Sequence, residues 1–272
     1  MSPSSASQAT MRERTHLLDI AVNAAHAAAE IIRARATEAT SLEWRVKSQA
    51  DFVSDVDTAA EHSIRERIAR DLPDAVVVGE EISPDAAVSD GVTFIADPLD
   101  GTTNFLHGFP AYAVSIGVLV DGALAAGVIV DVPLDDTYTA IVNDGARRNG
   151  EPIRVSHIDE PSRSLIGTGF PFKNVGALPR YQRQFETITR ATAGIRRPGS
   201  AALDLACVAC GRFDGFWELS LSPWDFAAGT LLVREAGGII TDLDGNSPPF
   251  TASSIVAGNP AMHSWLLKVL DT

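Results

Sequence analysis

The sequence predicts a layered fold in which α-helices and β-strands are mixed. Amphipathic helical stripes alternate with short β-branched runs along all 272 residues. A tight hairpin is indicated at Asp121-Gly122, so a purely parallel, doubly wound sheet is disfavoured. No repeat or long low-complexity linker divides the chain, and with 45% hydrophobic and 21% charged residues its composition is that of a globular protein.

The first elements are two helices that follow a tail, residues 1–14, which we expect to be disordered or frayed. From His16 onward apolar residues recur at helical spacing. This buried face is predicted to consist of Leu17, Leu18, Ile20, Ala21, Ala24, Ala25, Ala28, Ile31 and Ile32. A second helix is predicted to start near Asp57-Thr58, because Glu61 follows Thr58 at the spacing of a capping box.

Strands follow in the first half of the chain, and both element types recur in the second half. Strands are predicted over Ala75–Val78, Thr93–Ala96, Tyr112–Val120 and Ala123–Val130. The second half is predicted to contain a helix over Ser200–Cys210, a strand over Phe213–Glu218, a helix from Ser222 to Glu235, strands over Ile239–Asp242 and Ile255–Ala257, and a helix over Pro260–Leu270. Together these elements predict layered helices and sheets.

Charge and cysteine content restrict the function. The chain has 22 basic and 35 acidic residues, a net charge of −13, which disfavours general nucleic-acid binding and binding to anionic membranes. An anionic substrate would therefore need local neutralisation, for which bound cations are suited. No secretory signal is visible, and the longest apolar stretch, Ala111–Val120, is too short to span a bilayer. A reducing, cytoplasmic setting is expected.

The two cysteines, Cys207 and Cys210, form a CxxC pair. Such a pair can be redox-active or half of a zinc site. No second ligand pair exists in the sequence, and the pair falls in the middle of a predicted helix, where thiolates are not stabilised. A buried structural role is therefore predicted.

The segment Asp97-Pro98-Leu99-Asp100-Gly101-Thr102-Thr103-Asn104-Phe105 is the most informative part of the sequence. It directly follows a predicted strand, so its carboxylates emerge where loops usually hold function. A proline stiffens the first acid, and a glycine lets backbone N–H groups approach an anion. Carboxylate and carbonyl oxygens are the ligands that Mg²⁺ prefers. The segment therefore predicts a site for a cation and the phosphate it coordinates, against the alternative of a simple Asp-Gly turn.

Other acids end comparable elements. Glu80 and Glu81 follow a strand, where one carboxylate can lie beside Asp97 or both can be solvated. Asp225 stands in the first turn of a predicted helix, where it can either cap the helix or bind a metal. Asp57 can likewise serve only as a cap of the second helix.

Taken together, these strings resemble the inositol monophosphatase family. The resemblance rests on Gly79-Glu80-Glu81, the segment from Asp97 to Phe105, and Trp224-Asp225-Phe226-Ala227-Ala228-Gly229, with further similarity at 47–57, 194–202 and Glu218. It covers about residues 15–270, and the bacterial branch, inositol-1-monophosphatase-like, is the most similar. The resemblance implies a five-layer αβαβα sandwich of the inositol monophosphatase and fructose bisphosphatase type. It also implies one phosphatase domain over 15–272, with a metal-loop half (15–150) and a substrate-facing half (151–272), and a cytoplasmic homodimer.

The resemblance also implies the roles of site residues. Two or three Mg²⁺ ions, replaceable by Mn²⁺ and with Li⁺ as an inhibitor, would be bound by Glu80, Asp97, the Leu99 carbonyl, Asp100 and Asp225. Catalysis would use Glu80 and Thr102, which orient and deprotonate a water, with Asp57 accepting a hydrogen bond from Thr102. Substrate would contact Asp100, Gly101, Thr102, Gly199, Ser200, Ala201, Glu218 and Asp225.

The expected activity is Mg²⁺-dependent hydrolysis of a phosphate monoester, with inositol 1-phosphate as the favoured substrate and direct attack by water. Alternatives are a related sugar bisphosphate, histidinol-phosphate or nucleotide 3′-phosphate phosphatase, and a non-catalytic regulatory protein that keeps the metal loop. A haloacid-dehalogenase-type phosphatase is disfavoured because its two acids are two residues apart, whereas Asp97 and Asp100 are three apart. Arg196 and Arg197, the one basic pair near the site strings, are interpreted as solvated or as part of a dimer interface.

Overall fold

The structure is a computed structural model that describes residues 10–38, 44–48, 51–88, 90–172, 174–248, 250–251 and 253–271, with backbone alone for 44–48 and 51–53. The helices within these residues are α1 (Met11–Ala36), α2 (Asp55–Asp71), α3 (Thr102–Leu106), α4 (Leu178–Ala191), α5 (Ala201–Ala209), α6 (Pro223–Glu235) and α7 (Pro260–Leu270). The strands are β1 (Trp44–Ser48), β2 (Asp51–Ser54), β3 (Val76–Gly79), β4 (Val92–Asp100), β5 (Ala113–Val120), β6 (Ala123–Asp131), β7 (Asp136–Ile141), β8 (Gly145–Arg148), β9 (Glu151–Pro152), β10 (Leu165–Thr168), β11 (Gly194–Arg196), β12 (Gly215–Leu221), β13 (Ile239–Thr241) and β14 (Ser253–Gly258).

Two mixed sheets form the frame. The larger one has seven strands in the order β3-β4-β5-β6-β7-β8-β9, and within it only β3 and β4 pair in parallel. The smaller one has five strands in the order β11-β10-β12-β14-β13, in which β10 is parallel to both of its neighbours. The strands β1 and β2 form a separate antiparallel pair.

Helices cover both sheets and fill the space between them. Apolar residues of α1 and α2, such as Ala25 and Ile64, pack against Val114 and Val128 of the larger sheet. The helices α5 and α6 lie between the two sheets, and α4 and α7 cover the outer face of the smaller sheet. The order is therefore helix, sheet, helix, sheet, helix, which confirms the predicted five-layer αβαβα sandwich.

Small residues bring α6 close to the larger sheet. A Cβ atom added at Gly117 of β5 would lie 2.7 Å from the Ala227 Cβ, and one at Gly127 of β6 would lie 3.2 Å from the Ala228 Cα. A larger residue at either strand position would push the helix away, because protein interiors leave little free volume. This close packing fixes the N-terminus of α6, which carries Asp225.

The helix starts differ from the sequence-based predictions. The first helix begins at Met11, capped by Thr10, so the predicted tail is helical over 11–14, while residues 1–9 lie outside the described residues. The second helix begins at Asp55 with Ser54 as its N-cap, so the predicted Thr58–Glu61 capping box is wrong. The capping partner three residues after Ser54 is Asp57, whose carboxylate accepts the Ser54 N–H at 2.9 Å.

The hairpin between β5 and β6 is confirmed. Asp121 and Gly122 have φ of 50° and 77°, the left-handed pair that a type I′ turn requires. The second-half elements also lie where they were predicted, with ends shifted by one to three residues at most. The sequence reasoning did not assign β7 to β11 or α4.

The two cysteines carry free thiols and are partly buried in α5 and at its end. Burial raises the pKa of Cys207 to about 12, so the thiol stays protonated, in agreement with a structural role. Among the described residues, no helix combines the length and the apolar character that crossing a bilayer requires.

Candidate active site

A β-bulge at the end of β4 brings Asp97 and Asp100 together. Asp97 pairs with Ser115 of β5 and Asp100 pairs with Ala113, so two residues of β4 lie opposite a single residue of β5. In a regular strand, residues three apart point to opposite faces of the sheet. The extra residue reverses that alternation, and both carboxylates reach the same cavity.

The turn that follows requires glycine. Gly101 has a φ of 94°, and a Cβ atom there would lie 2.8 Å from the Ala111 carbonyl oxygen. The Leu99 N–H donates to Asp97 Oδ1 at 3.0 Å, which fixes the preceding carboxylate. Gly101 is the N-cap of α3, so the backbone at Gly101 and Thr102 turns into the short helix beside the acids.

Asp225 joins the two acids from a different layer. It lies in the first turn of α6, where its Oδ2 accepts the Ser222 N–H at 2.7 Å. One carboxylate oxygen each from Asp97, Asp100 and Asp225 lies within 4.8 Å of the others. Helix capping and membership of the acidic cluster are therefore combined in Asp225, rather than being alternatives.

Glu80 approaches the cluster from β3. Because β3 and β4 are parallel and Gly79 pairs with Ala96, the next residues, Glu80 and Asp97, lie side by side. The carboxylate of Glu61, on α2, holds this turn: it accepts the Glu81 N–H at 2.7 Å and would clash with any Cβ at Gly79. Glu61 thus supports the strand end that presents Glu80.

The cluster concentrates negative charge at buried positions. Asp97 is 1% exposed. Burial first, and then the carboxylates of Glu80, Asp100 and Asp225, raise the pKa of Asp97 well above its usual range. A divalent cation would compensate this accumulated negative charge.

Asp57 lies behind the cavity and contacts it through Thr102. The Thr102 hydroxyl donates to Asp57 Oδ1 at 2.9 Å, the hydrogen bond that the family resemblance implies, and it lies 3.1 Å from the Leu99 carbonyl oxygen. Asp57 Oδ2 accepts the Ser54 hydroxyl at 2.6 Å. Burial raises the pKa of Asp57. The hydrogen bonds from Ser54 and Thr102 favour its charged form and offset this rise only in part.

The opposite wall of the cavity comes from the second half of the chain. Asp100 Oδ2 accepts the Ser200 hydroxyl at 2.6 Å and the Ala202 N–H at 2.7 Å, which ties the N-terminus of α5 to the acidic segment. Glu218 of β12 lies over Gly169, where an added Cβ would clash with its carboxylate. The cavity has a volume of about 320 Å³.

The structure brings together all but one of the residues predicted for the site. Its cavity is lined by Glu80, Asp97, Leu99, Asp100, Gly101, Thr102, Gly199, Ser200, Ala201, Glu218 and Asp225. Asp57 is the exception, because it is buried behind Thr102.

Two charged lining residues were not among those predicted for the site. Arg197 is exposed, as the sequence suggested, but it also lines the cavity, with its guanidinium 5.2 Å from the ring centres of both Phe170 and Phe172. Asp204 lines the cavity from α5 and is 2% exposed. The signal for Asp204 was available, since it is an acid within a helix that is otherwise apolar and buried.

A layered αβαβα fold with buried carboxylates at a strand end defines a class of protein that can hold cations beside an anionic ligand. The chain belongs to the inositol monophosphatase family, whose family model matches residues 13–272. The predicted family is thereby confirmed, and membership supports a phosphatase that acts with a metal on a small phosphorylated substrate.

Characterised relatives cover nearly the whole chain. It is 41% identical to an inositol-1-monophosphatase of Rhizobium meliloti over 95% of this chain and 97% of the relative. It is 40% identical to the Nus factor SuhB of Pseudomonas aeruginosa, over 94% and 96% of the two chains. The crystal structure of the extragenic suppressor protein SuhB from Bartonella henselae superposes with a TM-score of 0.88 at 39% identity, covering 94% of this chain and 99% of that one.

Proposed function

We propose that the protein is a Mg²⁺-dependent phosphate monoester hydrolase that acts on a small phosphorylated polyol, with inositol 1-phosphate as the first candidate. The proposal includes a cytoplasmic homodimer, tolerance of Mn²⁺ and inhibition by Li⁺. One observation carries it: four carboxylates from three distant segments line one cavity, opposite a wall of polar groups, in a member of this family.

The donor set fits magnesium. Hard divalent cations prefer carboxylate and carbonyl oxygens, and three carboxylate oxygens lie within 4.8 Å of one another here. The ligands would be Glu80, Asp97, the Leu99 carbonyl, Asp100 and Asp225. When bound, divalent cations supply positive charge that stabilises the entering and leaving oxygens of phosphoryl transfer and acidifies the attacking water.

Residues on the Glu80 side would prepare the nucleophile. Glu80 and the Thr102 hydroxyl orient a water and accept its proton at the Glu80 carboxylate. The Thr102 hydroxyl donates its proton to Asp57 Oδ1, so its oxygen is available to accept a hydrogen bond from the water. The backbone N–H groups of Gly101 and Thr102 donate to phosphate oxygens.

Residues on the α5 side would hold the leaving group. Gly199, Ser200 and Ala201 face the polyol, and Glu218 accepts hydrogen bonds from its hydroxyls. The phosphate stays at the Asp97 end of the cavity and the polyol at the Glu218 end. Water attacks phosphorus directly, so no covalent phosphoenzyme forms.

Phosphate release from inositol 1-phosphate with and without Mg²⁺ tests the proposal. A panel with fructose 1,6-bisphosphate, histidinol phosphate and a nucleotide 3′-phosphate separates it from the related phosphatases. We expect inositol 1-phosphate to have the highest kcat/KM and activity to be lost on chelation. Preference for a bisphosphate would contradict the substrate assignment, because Arg197 is the only lysine or arginine among the described residues that line the cavity.

The names of relatives favour a second candidate, a regulatory role. Relatives at 40–41% identity carry the name Nus factor SuhB. A protein that binds Mg²⁺ and yet hydrolyses none of the phosphates in the panel would favour this role over catalysis.

A further inference from the structure

Asp204 is a buried acid in the cavity that the proposed mechanism does not use. It lies in the first turn of α5 and is 2% exposed. Its Oδ1 atom is buried and has no hydrogen-bond partner among the described residues. Leaving a buried carboxyl oxygen without a donor is destabilising, so the position calls for a donor that the described residues do not supply.

Neighbouring donors on α5 are already committed. The Ser200 hydroxyl and the Ala202 N–H both donate to Asp100 Oδ2, at 2.6 and 2.7 Å. The Leu203 N–H donates to Ser200 Oγ at 3.3 Å, and the Asp204 N–H donates to the Ser200 carbonyl at 3.0 Å. The helix terminus therefore has no spare donor for Asp204 Oδ1 in these contacts.

The electrostatic neighbours of Asp204 locate it along the cavity. Its carboxyl group interacts with Asp100, which belongs to the acidic cluster, and with Glu218, which lies over Gly169 at the other wall. Asp204 also interacts with Arg197, and all four residues line the same cavity. A hydroxyl of the leaving group can donate a hydrogen bond to an oxygen of Asp204 whether the acid is charged or neutral.

We propose that Asp204 is a specificity-determining residue whose carboxyl group accepts a hydrogen bond from a hydroxyl of the leaving polyol, next to the hydroxyl that donates to Glu218. The cavity thus recognises two neighbouring hydroxyls rather than one. This inference rests on the proposed function and adds a residue to it.

The test compares kcat/KM for inositol 1-phosphate with kcat/KM for ethyl phosphate, whose leaving group has no further hydroxyl. In Asp204→Ala and Asp204→Leu, the ratio of the two values should fall about 10- to 100-fold, because the acceptor is lost. Leucine has a similar shape, so one of the two variants avoids an empty space. Asp204→Asn keeps an oxygen acceptor and should restore the ratio to within about threefold of the wild type.

Asp214→Asn is the matched control. Asp214 is also buried in the second half of the chain, but it accepts the Leu165 N–H at 2.6 Å and does not line the cavity. Its variant should leave the ratio unchanged even if its melting temperature falls. An unchanged ratio in both Asp204→Ala and Asp204→Leu, or the same fall in the control, would overturn the inference.

Failure of the proposed function has a separate signature. If the wild type hydrolyses neither phosphate in the presence of Mg²⁺, the proposed function fails. In that case, the role of Asp204 is tested by measuring the binding of inositol 1-phosphate by calorimetric titration. Weaker binding in Asp204→Leu than in the wild type and Asp214→Asn supports the inference, and equal binding refutes it.

Discussion

Asp97 lies at one end of the cavity beside the carboxylates of Glu80, Asp100 and Asp225. Replacing it by asparagine, which has nearly the same shape and no charge, separates the effect on catalysis from the effect on folding. Asp97→Asn should lower kcat/KM at least about a thousandfold, because several kcal/mol of charge stabilisation depend on the cations it holds. The amide oxygen can still accept the Leu99 N–H, so the melting temperature without metal should not fall. Phosphate release and thermal unfolding measure the two effects.

Asp131→Asn provides the comparison, since Asp131 is a buried acid outside the cavity. This variant should keep near-wild-type kcat/KM. Near-wild-type hydrolysis by Asp97→Asn itself would be incompatible with the cation assignment.

Glu218 lies at the opposite wall, and its removal should affect selection more than chemistry. Glu218→Ala should reduce kcat/KM for inositol 1-phosphate about tenfold or more, with smaller losses for glycerol, histidinol and fructose phosphates, because a lost acceptor matters only to a hydroxyl that uses it. A kinetic panel over these four substrates checks this. Unchanged relative kcat/KM values would refute a role in polyol discrimination.

For single residues, the acidic cluster was predictable because each acid lies at the end or the start of an element predicted from the sequence. In the structure, Glu80 and Asp225 stand at such ends, whereas Asp97 lies within β4, directly before its bulge. Glu61 was misassigned, because its distance from Thr58 imitates a capping box while its carboxylate actually binds the turn after β3. Glu61 and Glu81 are 20 residues apart in the sequence, so a pattern of neighbouring residues does not predict their contact.

The turn between β3 and the acidic cluster depends on α2. Glu61→Gln should lower the free energy of unfolding by about 1–3 kcal/mol, because it weakens hydrogen bonds to the Glu81 and Ile82 N–H groups and the ion pair with Arg65. Because Glu80 lies in this turn, kcat should also fall, by about tenfold. Denaturant unfolding and steady-state kinetics test both effects.

The exposed face of α2 offers the control. Glu66 lies on the same helix and is exposed, so Glu66→Gln should change neither quantity measurably. If Glu61→Gln lowers stability and leaves kcat unchanged, the glutamate supports the fold alone.

Another element-scale prediction concerns α7. Burial lowers the pKa of His263, which packs against β13 with its Nε2 2.9 Å from the Thr241 hydroxyl oxygen. The unfolded chain therefore binds a proton near pH 6.5 that the folded chain does not bind until lower pH. This histidine makes stability fall as pH decreases below about 6.5, and in His263→Gln the fall between pH 7 and 5 should be smaller. Urea midpoints across that range measure it, and an identical pH slope in the variant would contradict the assignment.

Helices and hairpins with strong local signals were predictable as elements, whereas the residues between 132 and 199 were not assigned. The strand β10 has four residues and β11 has three, and both obtain their stability from pairing in the smaller sheet. Their short sequences, such as Gly194–Arg196, carry little periodicity. These segments therefore form strands because they pair with strands distant in the sequence, which a local pattern does not reveal.

Metal binding should stabilise the whole molecule, because the proposed ligands come from β4, the turn after β3, and α6. Mg²⁺ at 100 times its dissociation constant adds about 2.7 kcal/mol to the free energy of unfolding. For a chain of this size, that corresponds to a rise in the melting temperature of roughly 5–10 °C. Differential scanning fluorimetry with Mg²⁺, and with NaCl at equal ionic strength, tests this. A comparable rise in Asp97→Asn would contradict the proposed ligand set.

The layered architecture was predictable in outline from composition and alternating patterns, while the shape of the cavity was not. Its walls meet through contacts such as Ser200 to Asp100, which join residues 100 apart. The net charge of −13 indicated that an anionic ligand would need cations, and the acidic cluster lies where such cations would bind. What the sequence could not provide was the arrangement of the two halves around a common cavity.

The bulge in β4 makes the count of residues between Asp97 and Asp100 more important than their identity. Deleting either intervening residue would leave both acids on one face of the strand, but it would remove the bulge that sets the separation of their carboxylates and carries the Leu99 carbonyl between them. We therefore expect this segment to tolerate substitutions but no change of length. A library of substitutions at Pro98 and Leu99 should contain active clones, and a library of single-residue insertions and deletions should contain none.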